Sequence, residues 1–291
     1  MSTHLRPAAS TIPERNQHLR RYLMCRPEFF TVSYKINPWM EPSVPTDTAL
    51  AVRQWQTLYD TYLALGHEVE LIDPIDGLPD MVYTANGGFV IDGVAYGAKF
   101  RYREREHEGP EFMRWFADNG FEVREPLAVN EGEGDFLLVG DAILAGRGFR
   151  SSDDSHREAA AVFDREVVSL TLVNPNYYHL DTALSVLDPV EGLSNGGPQH
   201  ANIAYLAEAF DAKSLATLED RFPDAIVVSS EDGAVFGLNS ASDGKNVIIS
   251  PRAKGFERQL RERGYTPVSV DLSELLLGGG GIKCCTLELR K

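Results

Sequence analysis

The chain has 291 residues, of which 43% are hydrophobic and 24% are charged, and its formal net charge is −15. This length and composition are typical of a globular protein with a sizeable core. The acidic excess argues against nucleic acid or an anionic membrane as a partner, since both need surfaces rich in lysine and arginine. It suits a small cationic ligand, although the same charge would serve solubility alone.

The sequence contains no apolar run of roughly 18 residues, the length that a transmembrane helix needs. Residues 1–20 are polar and lack the apolar core of a signal peptide, so we expect a disordered or loosely attached tail and a cytoplasmic protein. The three cysteines, two of them adjacent, do not suggest a disulfide framework. Without a CxxC or HExxH motif, we expect no metal and no cofactor.

The rest of the chain repeats one pattern, namely strand, turn, strand, helix and strand. Apolar periodicity predicts the helices and strands, and Asp-Gly between two apolar runs predicts a tight hairpin. Strands are predicted at 21–25, 29–34, 68–72, 88–91, 94–96, 121–124, 136–139, 142–145, 166–172, 183–187, 201–206, 225–229, 234–239, 247–250, 267–270 and 284–289. Helices are predicted at 46–65, 110–118, 155–163, 214–222 and 254–263. An excursion rich in glycine, proline and asparagine at 189–199 is either a lid or a plain loop.

About five such units predict a closed ring, because a single ββαβ unit cannot bury the face of its own sheet. We therefore predict one α/β domain over residues 21–291, a five-bladed ββαβ propeller. The alternative is a doubly wound parallel sheet, which the tight hairpins disfavour because parallel strands need long crossovers. In a ring the equivalent loops of all units converge on one axis, and we expect the site there.

Cys284 follows four consecutive glycines, residues 278–281, which let the backbone approach another group closely and leave room for a ligand. A thiol at such a turn is placed to act as a nucleophile if a nearby base or cation favours the thiolate. The alternative is a buried structural cysteine, which is the more frequent case. If 284–289 is a strand, Cys285 points the opposite way and belongs to the core.

His179 precedes a predicted strand, and Asp181 follows it two residues later. On a strand these two side chains share one face, and a carboxylate beside a histidine fixes its tautomer and keeps it basic. His179 is therefore a candidate general acid and base, with a hydrogen-bonded structural histidine as the alternative.

The segment 131–135, Glu-Gly-Glu-Gly-Asp, crowds carboxylates between glycines at the start of a strand, which suits a small cation. The alternatives are a plain acidic loop and a divalent metal site, although a calcium loop needs more oxygen ligands at fixed spacing. Asp80 and Asn86 flank the start of another unit. Arg101 and Arg150 are either carboxylate clamps or solvated surface residues. Acids, arginines and a thiol on one axis together describe an arginine-like amino acid as the ligand.

Five segments, LPDMVYTANGG, NEGEGDF, GFRSS, YYHLDT and GGGGIKCCT, resemble those of the guanidino-group modifying superfamily. This superfamily holds arginine deiminases, dimethylarginine dimethylaminohydrolases, amidinotransferases and arginine dihydrolases. The resemblance covers nearly the whole chain after the tail and is greatest to bacterial dimethylargininases. It implies a pentein-type five-bladed propeller with the site on its axis.

For catalysis, the resemblance implies that Cys284 attacks the guanidinium carbon and that His179 protonates the departing amine. His179 then activates water, which hydrolyses a covalent thiouronium intermediate. Glu131 resembles the acid that supports His179 and holds the guanidinium. Many relatives have one residue fewer in this segment, so Glu133 is a second candidate for that acid.

For substrate binding, the resemblance implies that Asp181 binds a guanidinium nitrogen and that Asp80 holds the α-ammonium group. It places Arg101 and Arg150 on the α-carboxylate, and Tyr83 beside the aliphatic chain of the substrate.

Asn86 departs from the pattern, because animal dimethylargininases carry two acids at 85–86 and deiminases carry aspartate. Asn86 together with Asn37 resembles the arginine dihydrolases, which convert arginine to ornithine, carbon dioxide and ammonia. We therefore expect hydrolysis of the guanidino C–N bond of dimethylarginine to citrulline and dimethylamine, with arginine dihydrolase as the alternative. An amidinotransferase and a non-enzymatic binder of arginine-like ligands are the remaining alternatives. The expected partner is a small guanidino amino acid, and the oligomeric state, a homo-oligomer included, stays open.

Overall fold

A computed structural model describes residues 14–188 and 201–291 of the chain. These residues form a mixed α/β fold with five three-stranded sheets. In each sheet the central strand pairs antiparallel with one neighbour and parallel with the other. The predicted lid or loop at 189–199 lies outside the described residues.

The strands fall into five sheets that we number along the chain. Sheet 1 contains β15 (Leu287–Glu288), β1 (Arg21–Cys25) and β2 (Glu68–Ile72); sheet 2 contains β3 (Gly88–Ile91), β4 (Val94–Gly97) and β5 (Glu122–Arg124). Sheet 3 contains β6 (Phe136–Val139), β7 (Ala142–Arg147) and β8 (Val167–Thr171). Sheet 4 contains β9 (Leu184–Val186), β10 (Ile203–Tyr205) and β11 (Ile226–Val227); sheet 5 contains β12 (Ala241–Ser242), β13 (Asn246–Ile249) and β14 (Thr266–Ser269).

One helix joins the two parallel strands of every sheet, as the repeat predicts. The helices are α1 (Thr48–Ala64), α2 (Glu108–Asp118), α3 (Asp153–Phe163), α5 (Ala212–Arg221) and α7 (Lys254–Glu262), and the short α4 (Leu180–Ala183) and α6 (Ser230–Gly233) precede sheets 4 and 5. α1 shows the local cause, because the Asp47 side chain caps it by accepting a hydrogen bond from the Leu50 amide. Its buried face carries Trp55, Leu58 and Tyr62, which are spaced as one side of a helix.

Neighbouring sheets share hydrophobic cores. One cluster of buried side chains joins sheets 3, 4 and 5, and a second joins sheet 5 to sheet 1. Two further clusters join sheet 1 to sheet 2 and sheet 2 to sheet 3. The clusters therefore join the sheets in numerical order and also join sheet 5 back to sheet 1. In the described part of the chain, no helix is long and apolar enough to cross a membrane.

Two predicted strands are wrong, the first because of a long-range pairing and the second because its residues form turns. Residues 29–34, although described, form no strand, because β15 occupies the antiparallel position beside β1. Residues 234–239 form turns, with Phe236 in the left-handed region at a φ of 56°, and the short β12 takes the predicted place beside β13. The predicted strand 284–289 is reduced to β15, so that Cys284 lies in a turn.

Residues 14–20, part of the predicted tail, contact three separate parts of the fold, whereas residues 1–13 of that tail lie outside the described residues. Arg15 forms an ion pair with Asp188, and the His18 amide donates to the Asp243 carbonyl oxygen. The Arg20 amide donates to Nδ1 of His67, just before β2.

Equivalent turns come before the first strand of each sheet, and each of these turns carries a polar or thiol side chain of the candidate site. Asn86 precedes β3, Glu131 precedes β6, His179 precedes β9, Asn239 precedes β12 and Cys284 precedes β15. The fold thus collects side chains from five separate segments of the sequence, as the repeat predicts. The shared strand face predicted for His179 and Asp181 is wrong, because Asp181 lies in the first turn of α4.

Candidate active site

Glu131 connects His179 and Arg150 through a single carboxylate oxygen. Its Oε2 lies 2.7 Å from Nε2 of His179 and 2.8 Å from Nη1 of Arg150. All three side chains are buried. Burial alone raises the pKa of Glu131, but Arg150 and His179 outweigh it and hold that pKa well below its usual range. Glu131 is therefore ionised at neutral pH and orients the imidazole of His179.

Glu133 is directed to a different set of partners. Its carboxylate pairs with Lys283 at 2.7 Å and with Arg290 at 2.6 Å, and it accepts a hydrogen bond from the Glu288 amide at 2.8 Å. Gly132 separates the two glutamates with a φ of 54°. A Cβ atom at Gly132 would lie 2.5 Å from the Gly88 carbonyl oxygen, so that only glycine fits this turn. Of the two candidate acids, Glu131 is the one that contacts His179.

The Cys284 thiol lies between Asp181 and Asn239. Its Sγ is 3.3 Å from Oδ2 of Asp181 and 3.1 Å from Nδ2 of Asn239. Burial, followed by the nearby Asp181, raises the pKa of the Cys284 thiol well above its usual value. The thiol is therefore protonated at neutral pH, and it donates its hydrogen to Asp181.

The two carboxylate oxygens of Asp181 differ, because one is hydrogen-bonded and the other, in the part of the chain that the structure describes, is not. Its Oδ1 is buried and has no hydrogen-bond partner among the described residues. Burial raises the pKa of Asp181 to about 7, although Lys283 and the hydrogen bonds from Cys284 and Asn239 act in the opposite direction. Buried carboxylate oxygens are normally paired, so an unpaired one marks a position where a cationic group would be stabilised.

Asp80 shows the same feature in another turn. Its Oδ2 accepts a hydrogen bond from Tyr34 at 2.9 Å and lies 3.8 Å from Nε of Arg105. Its Oδ1 is buried and lacks a partner within the described ranges. Burial raises the pKa of Asp80, while Arg105 and Tyr34 act to lower it. The site therefore offers two separate unpaired carboxylate oxygens.

Asn86 is held by Arg105, a residue that the sequence did not single out. Arg105 Nη1 donates to Oδ1 of Asn86 at 2.7 Å, and Asn86 Nδ2 donates to the Glu131 carbonyl oxygen at 3.4 Å. Arg105 is buried and also makes two hydrogen bonds to Glu108, at 2.9 and 2.7 Å. Asn86 thus links the turn of Glu131 to a buried ion pair at the start of α2.

The two predicted carboxylate clamps are placed differently. The Arg150 guanidinium is buried, and its Nη2 donates to the Ile36 carbonyl oxygen at 2.9 Å. It also lies against the rings of Tyr102 and Tyr178, at 4.7 and 4.6 Å from their centres. Arg101 is exposed, and only its backbone amide reaches Glu131, at 3.3 Å. Their binding of a substrate carboxylate stays a prediction.

Tyr83 and Asn37 pack against the glycine run at 278–281, just before Cys284. The Tyr83 hydroxyl donates to the Leu275 carbonyl oxygen at 2.6 Å, and a Cβ atom at Gly280 would lie 2.3 Å from the Tyr83 ring. Asn37 Nδ2 donates to the Gly278 carbonyl oxygen at 3.0 Å. Three glycines of this run, Gly278, Gly279 and Gly280, lie so close to Tyr83 or Asn37 that an added Cβ atom would clash.

Asp135 connects three parts of the site through hydrogen bonds. Its Oδ2 accepts hydrogen bonds from the Ser151 hydroxyl at 2.6 Å and the Ser151 amide at 3.2 Å, and its Oδ1 accepts one from the Leu180 amide at 3.1 Å. The Ser151 hydroxyl in turn accepts a hydrogen bond from the Glu131 amide at 3.1 Å. Asp135 therefore fixes the backbone beside Glu131 and His179. In the parts of the chain that the structure describes, no cluster of histidine, cysteine and acidic side chains is arranged to hold a metal ion.

Comparison with known proteins identifies the family. No family model matches the chain. A dimethylarginine dimethylaminohydrolase from Mycobacterium tuberculosis is 52% identical over 94% of this chain and 87% of its own length. The chain belongs to the dimethylarginine dimethylaminohydrolase family. Family membership confirms the predicted superfamily and, with it, the prediction of a hydrolase that acts on C–N bonds.

The family likeness extends to arginine dihydrolases. The bifunctional arginine dihydrolase/ornithine cyclodeaminase ArgZ of Synechocystis is 38% identical over 92% of this chain, which spans 37% of the length of that protein. The solved N-terminal domain of ArgZ, bound to its substrate, superposes with a TM-score of 0.86 at 36% identity, covering 94% of this chain and 98% of that domain. A solved dimethylarginine dimethylaminohydrolase adduct, 18% identical with a TM-score of 0.73, shares the fold.

Proposed function

We propose that the protein hydrolyses Nω,Nω-dimethylarginine to citrulline and dimethylamine, with Cys284 as the nucleophile. The main structural support is the pair of buried, unpaired carboxylate oxygens on Asp181 and Asp80. Dimethylarginine carries two cationic groups, a guanidinium and an α-ammonium, and each would supply the hydrogen-bond donors that one of these oxygens lacks. The relative that is 52% identical carries this activity in its name.

We further propose that the five sheets form the blades of a pentein propeller around this site. All five have the same strand arrangement, and the hydrophobic clusters join each sheet to the next and the fifth to the first. In a closed ring the five equivalent turns face one axis.

The first half-reaction begins when the guanidinium binds next to Asp181 and neutralises its charge, which lets the Cys284 thiol lose its proton to solvent. The sulfur then bonds to the guanidinium carbon, and the bond from this carbon to the dimethylated nitrogen breaks. Protonated His179, held by Glu131, gives its proton to that nitrogen. Dimethylamine leaves as a neutral molecule, and a cationic thiouronium remains on Cys284.

In the second half-reaction, neutral His179 takes a proton from a water molecule while the water oxygen bonds to the thiouronium carbon. The S–C bond then breaks, and a hydroxyl proton of the product returns to the sulfur. Citrulline, the thiol and protonated His179 result, so that the enzyme is ready for another turnover. Glu131 stays ionised throughout and stabilises the protonated imidazole.

Arginine dihydrolase activity is the second candidate, and Asn86 favours it. A neutral amide stands in the turn next to Asp80, and Arg105 holds it through a 2.7 Å hydrogen bond. The likeness to the arginine dihydrolase domain points the same way. Under this alternative, a second hydrolysis would release ornithine, carbon dioxide and ammonia from arginine.

Incubation with each substrate separately, followed by product analysis, tests both candidates. Equal amounts of citrulline and dimethylamine from dimethylarginine support the first, and ornithine with ammonia from arginine supports the second. The Cys284→Ser variant should abolish either activity. Cys285→Ala is a matched control, since Cys285 is also buried but its side chain packs in the hydrophobic core that joins sheets 5 and 1. If neither substrate gives a product, both candidates are refuted and a non-enzymatic binder becomes the better description.

A further inference from the structure

The Asn239 side chain makes two hydrogen bonds with Cys284 and one with Asp181. Its Oδ1 accepts a hydrogen bond from the Cys284 amide at 3.2 Å, and its Nδ2 donates to Cys284 Sγ and to the Asp181 carbonyl oxygen, both at 3.1 Å. A backbone amide only donates and a carbonyl oxygen only accepts, so these two backbone partners fix the orientation of the Asn239 amide. The group that faces the sulfur is therefore the NH₂ donor.

We propose that Asn239 is a catalytic residue, which stabilises the Cys284 thiolate by donating a hydrogen bond to its sulfur. The proposal rests on the proposed function, in which Cys284 is the nucleophile. A hydrogen bond to an ionised acceptor is roughly twice as strong as one to a neutral acceptor. The donor therefore favours the thiolate over the thiol and lowers the barrier to attack.

Asp181 and two nearby tyrosines do not provide this stabilisation. Asp181 carries a negative charge or accepts the thiol hydrogen, and burial together with Asp181 and Cys285 raises the pKa of the Cys284 thiol. Tyr83 and Tyr178 also interact electrostatically with Cys284, but burial raises the pKa of both well above the usual value, so that they stay neutral.

The lysine that precedes Cys284 in the sequence has its ammonium directed elsewhere. Lys283 precedes Cys284, but its ammonium is 2.7 Å from Glu133 and 2.8 Å from the Thr286 carbonyl oxygen. A backbone hydrogen bond with Gly281 acts to lower the thiol pKa, and Asn239 is the side-chain donor that the described residues place on the sulfur.

Packing holds Asn239 in this orientation. The side chain is 1% exposed, and its backbone carbonyl oxygen accepts a hydrogen bond from the Lys283 amide at 3.3 Å. A Cβ atom at Gly281 would lie 2.9 Å from Oδ1 of Asn239, so the glycine run leaves this amide just enough room. A donor fixed in advance does not have to reorganise when negative charge develops on the sulfur.

The ionisation of the thiol can be measured without any turnover, from the rate of iodoacetamide alkylation against pH in the substrate-free protein. Asn239→Ala removes the donor and adds no charge. Asn239→Asp keeps the acceptor for the Cys284 amide but replaces the donor with an oxygen. In both variants we expect the midpoint of alkylation to rise by about one pH unit. We expect kcat to fall about 100-fold with little change in KM.

Asn246→Ala serves as the control, because Asn246 is also a buried asparagine of sheet 5 and bonds to Asp243, away from the sulfur. Its alkylation midpoint should match that of the unchanged protein. A midpoint that rises in Asn239→Asp but not in Asn239→Ala would overturn the proposal, since the added charge alone would then explain the shift. If dimethylarginine is not turned over while both midpoints rise, the proposed function fails and the effect of Asn239 on the thiolate stands.

Discussion

Glu131 accepts hydrogen bonds from His179 and Arg150 on the same oxygen, at 2.7 and 2.8 Å. The carboxylate is therefore compensated by a permanent cation before any substrate arrives. This arrangement keeps Glu131 ionised, and an ionised Glu131 can stabilise the imidazolium of the proposed reaction.

We expect Glu131→Gln to reduce mainly the activity and Glu133→Gln to reduce mainly the stability of the protein. Glu131→Gln removes the charge that stabilises protonated His179, so we expect kcat to fall about 100-fold. Glu133→Gln instead leaves Lys283 and Arg290 without their carboxylate, so we expect the free energy of unfolding to fall by about 3–5 kcal/mol. Steady-state kinetics and urea denaturation of both variants check this. An equal loss of kcat in the two folded variants would contradict the assignment of Glu131.

Asp135→Asn should weaken both the fold and the reaction. The new amide cannot accept hydrogen bonds from both Ser151 and the Leu180 amide, so one buried donor loses its partner. We expect the free energy of unfolding to drop by about 1–3 kcal/mol. Because the backbone beside Glu131 and His179 then shifts, we also expect a fall in kcat of about tenfold. A loss of stability with an unchanged kcat would restrict Asp135 to a role in folding.

Asp181 should make stability depend on pH in a direction opposite to that of most carboxylates. Its pKa is about 7 in the folded protein against an ordinary value of 3.8. Since the folded state binds the proton more tightly, the ionised carboxylate destabilises the fold fully above pH 7, and this effect disappears as the pH falls towards 4. Urea denaturation of the substrate-free protein and of Asp181→Asn should therefore show the unchanged protein gaining stability relative to the variant between about pH 8 and pH 5. A difference that stays constant over this interval would show that Asp181 does not titrate there.

Gly280→Ala should disable the site through Tyr83. The new Cβ atom would lie 2.3 Å from the Tyr83 ring, which cannot move without breaking its hydrogen bond to Leu275. We expect the turn before Cys284 to shift and kcat to fall at least tenfold, an effect of about 1.4 kcal/mol on the barrier. Gly97→Ala is the control, since its Cβ atom meets mainly the flexible side chain of Met113. Unchanged kinetics in Gly280→Ala would mean that this turn tolerates movement.

The sequence predicts the strands of the repeat correctly where the paired strands are close together in the chain. The hairpin of β6 and β7 matches the prediction because a Gly-Asp turn at 140–141 separates two apolar runs. The strand predicted at 29–34 is wrong because the antiparallel partner of β1 comes from the far end of the chain. No local pattern reports such a pairing. The predicted mixed α/β class is confirmed, and the ring itself remains a proposal.

The site could be predicted where a residue carries a distinctive chemistry. Cys284, His179, Glu131 and Asp181 stand out as a thiol, an imidazole and acids at the starts of repeated units, and the structure brings Glu131 to His179 and Asp181 to Cys284. The choice between Glu131 and Glu133 depends on the φ of Gly132, which the sequence does not report.

Two buried polar residues were missed for different reasons. Arg105 lies in a charged run that resembles a solvated surface, yet its guanidinium is buried against Glu108. Asn239 is a neutral amide with no distinctive pattern around it. Its position before the first strand of the fifth unit is the signal that could have identified it.

The pairing of β15 with β1 has a consequence for the order of folding. Tyr22 lies opposite Glu288 in this ladder, and Cys284 stands just before it, so the proposed nucleophile reaches its place only when the two distant segments meet. Closing so long a loop is a slow, entropically costly step. Sheets 2 to 5 have only local strands to pair and can form earlier. During refolding, catalytic competence should thus be the last property to return, after the secondary structure seen by circular dichroism has recovered.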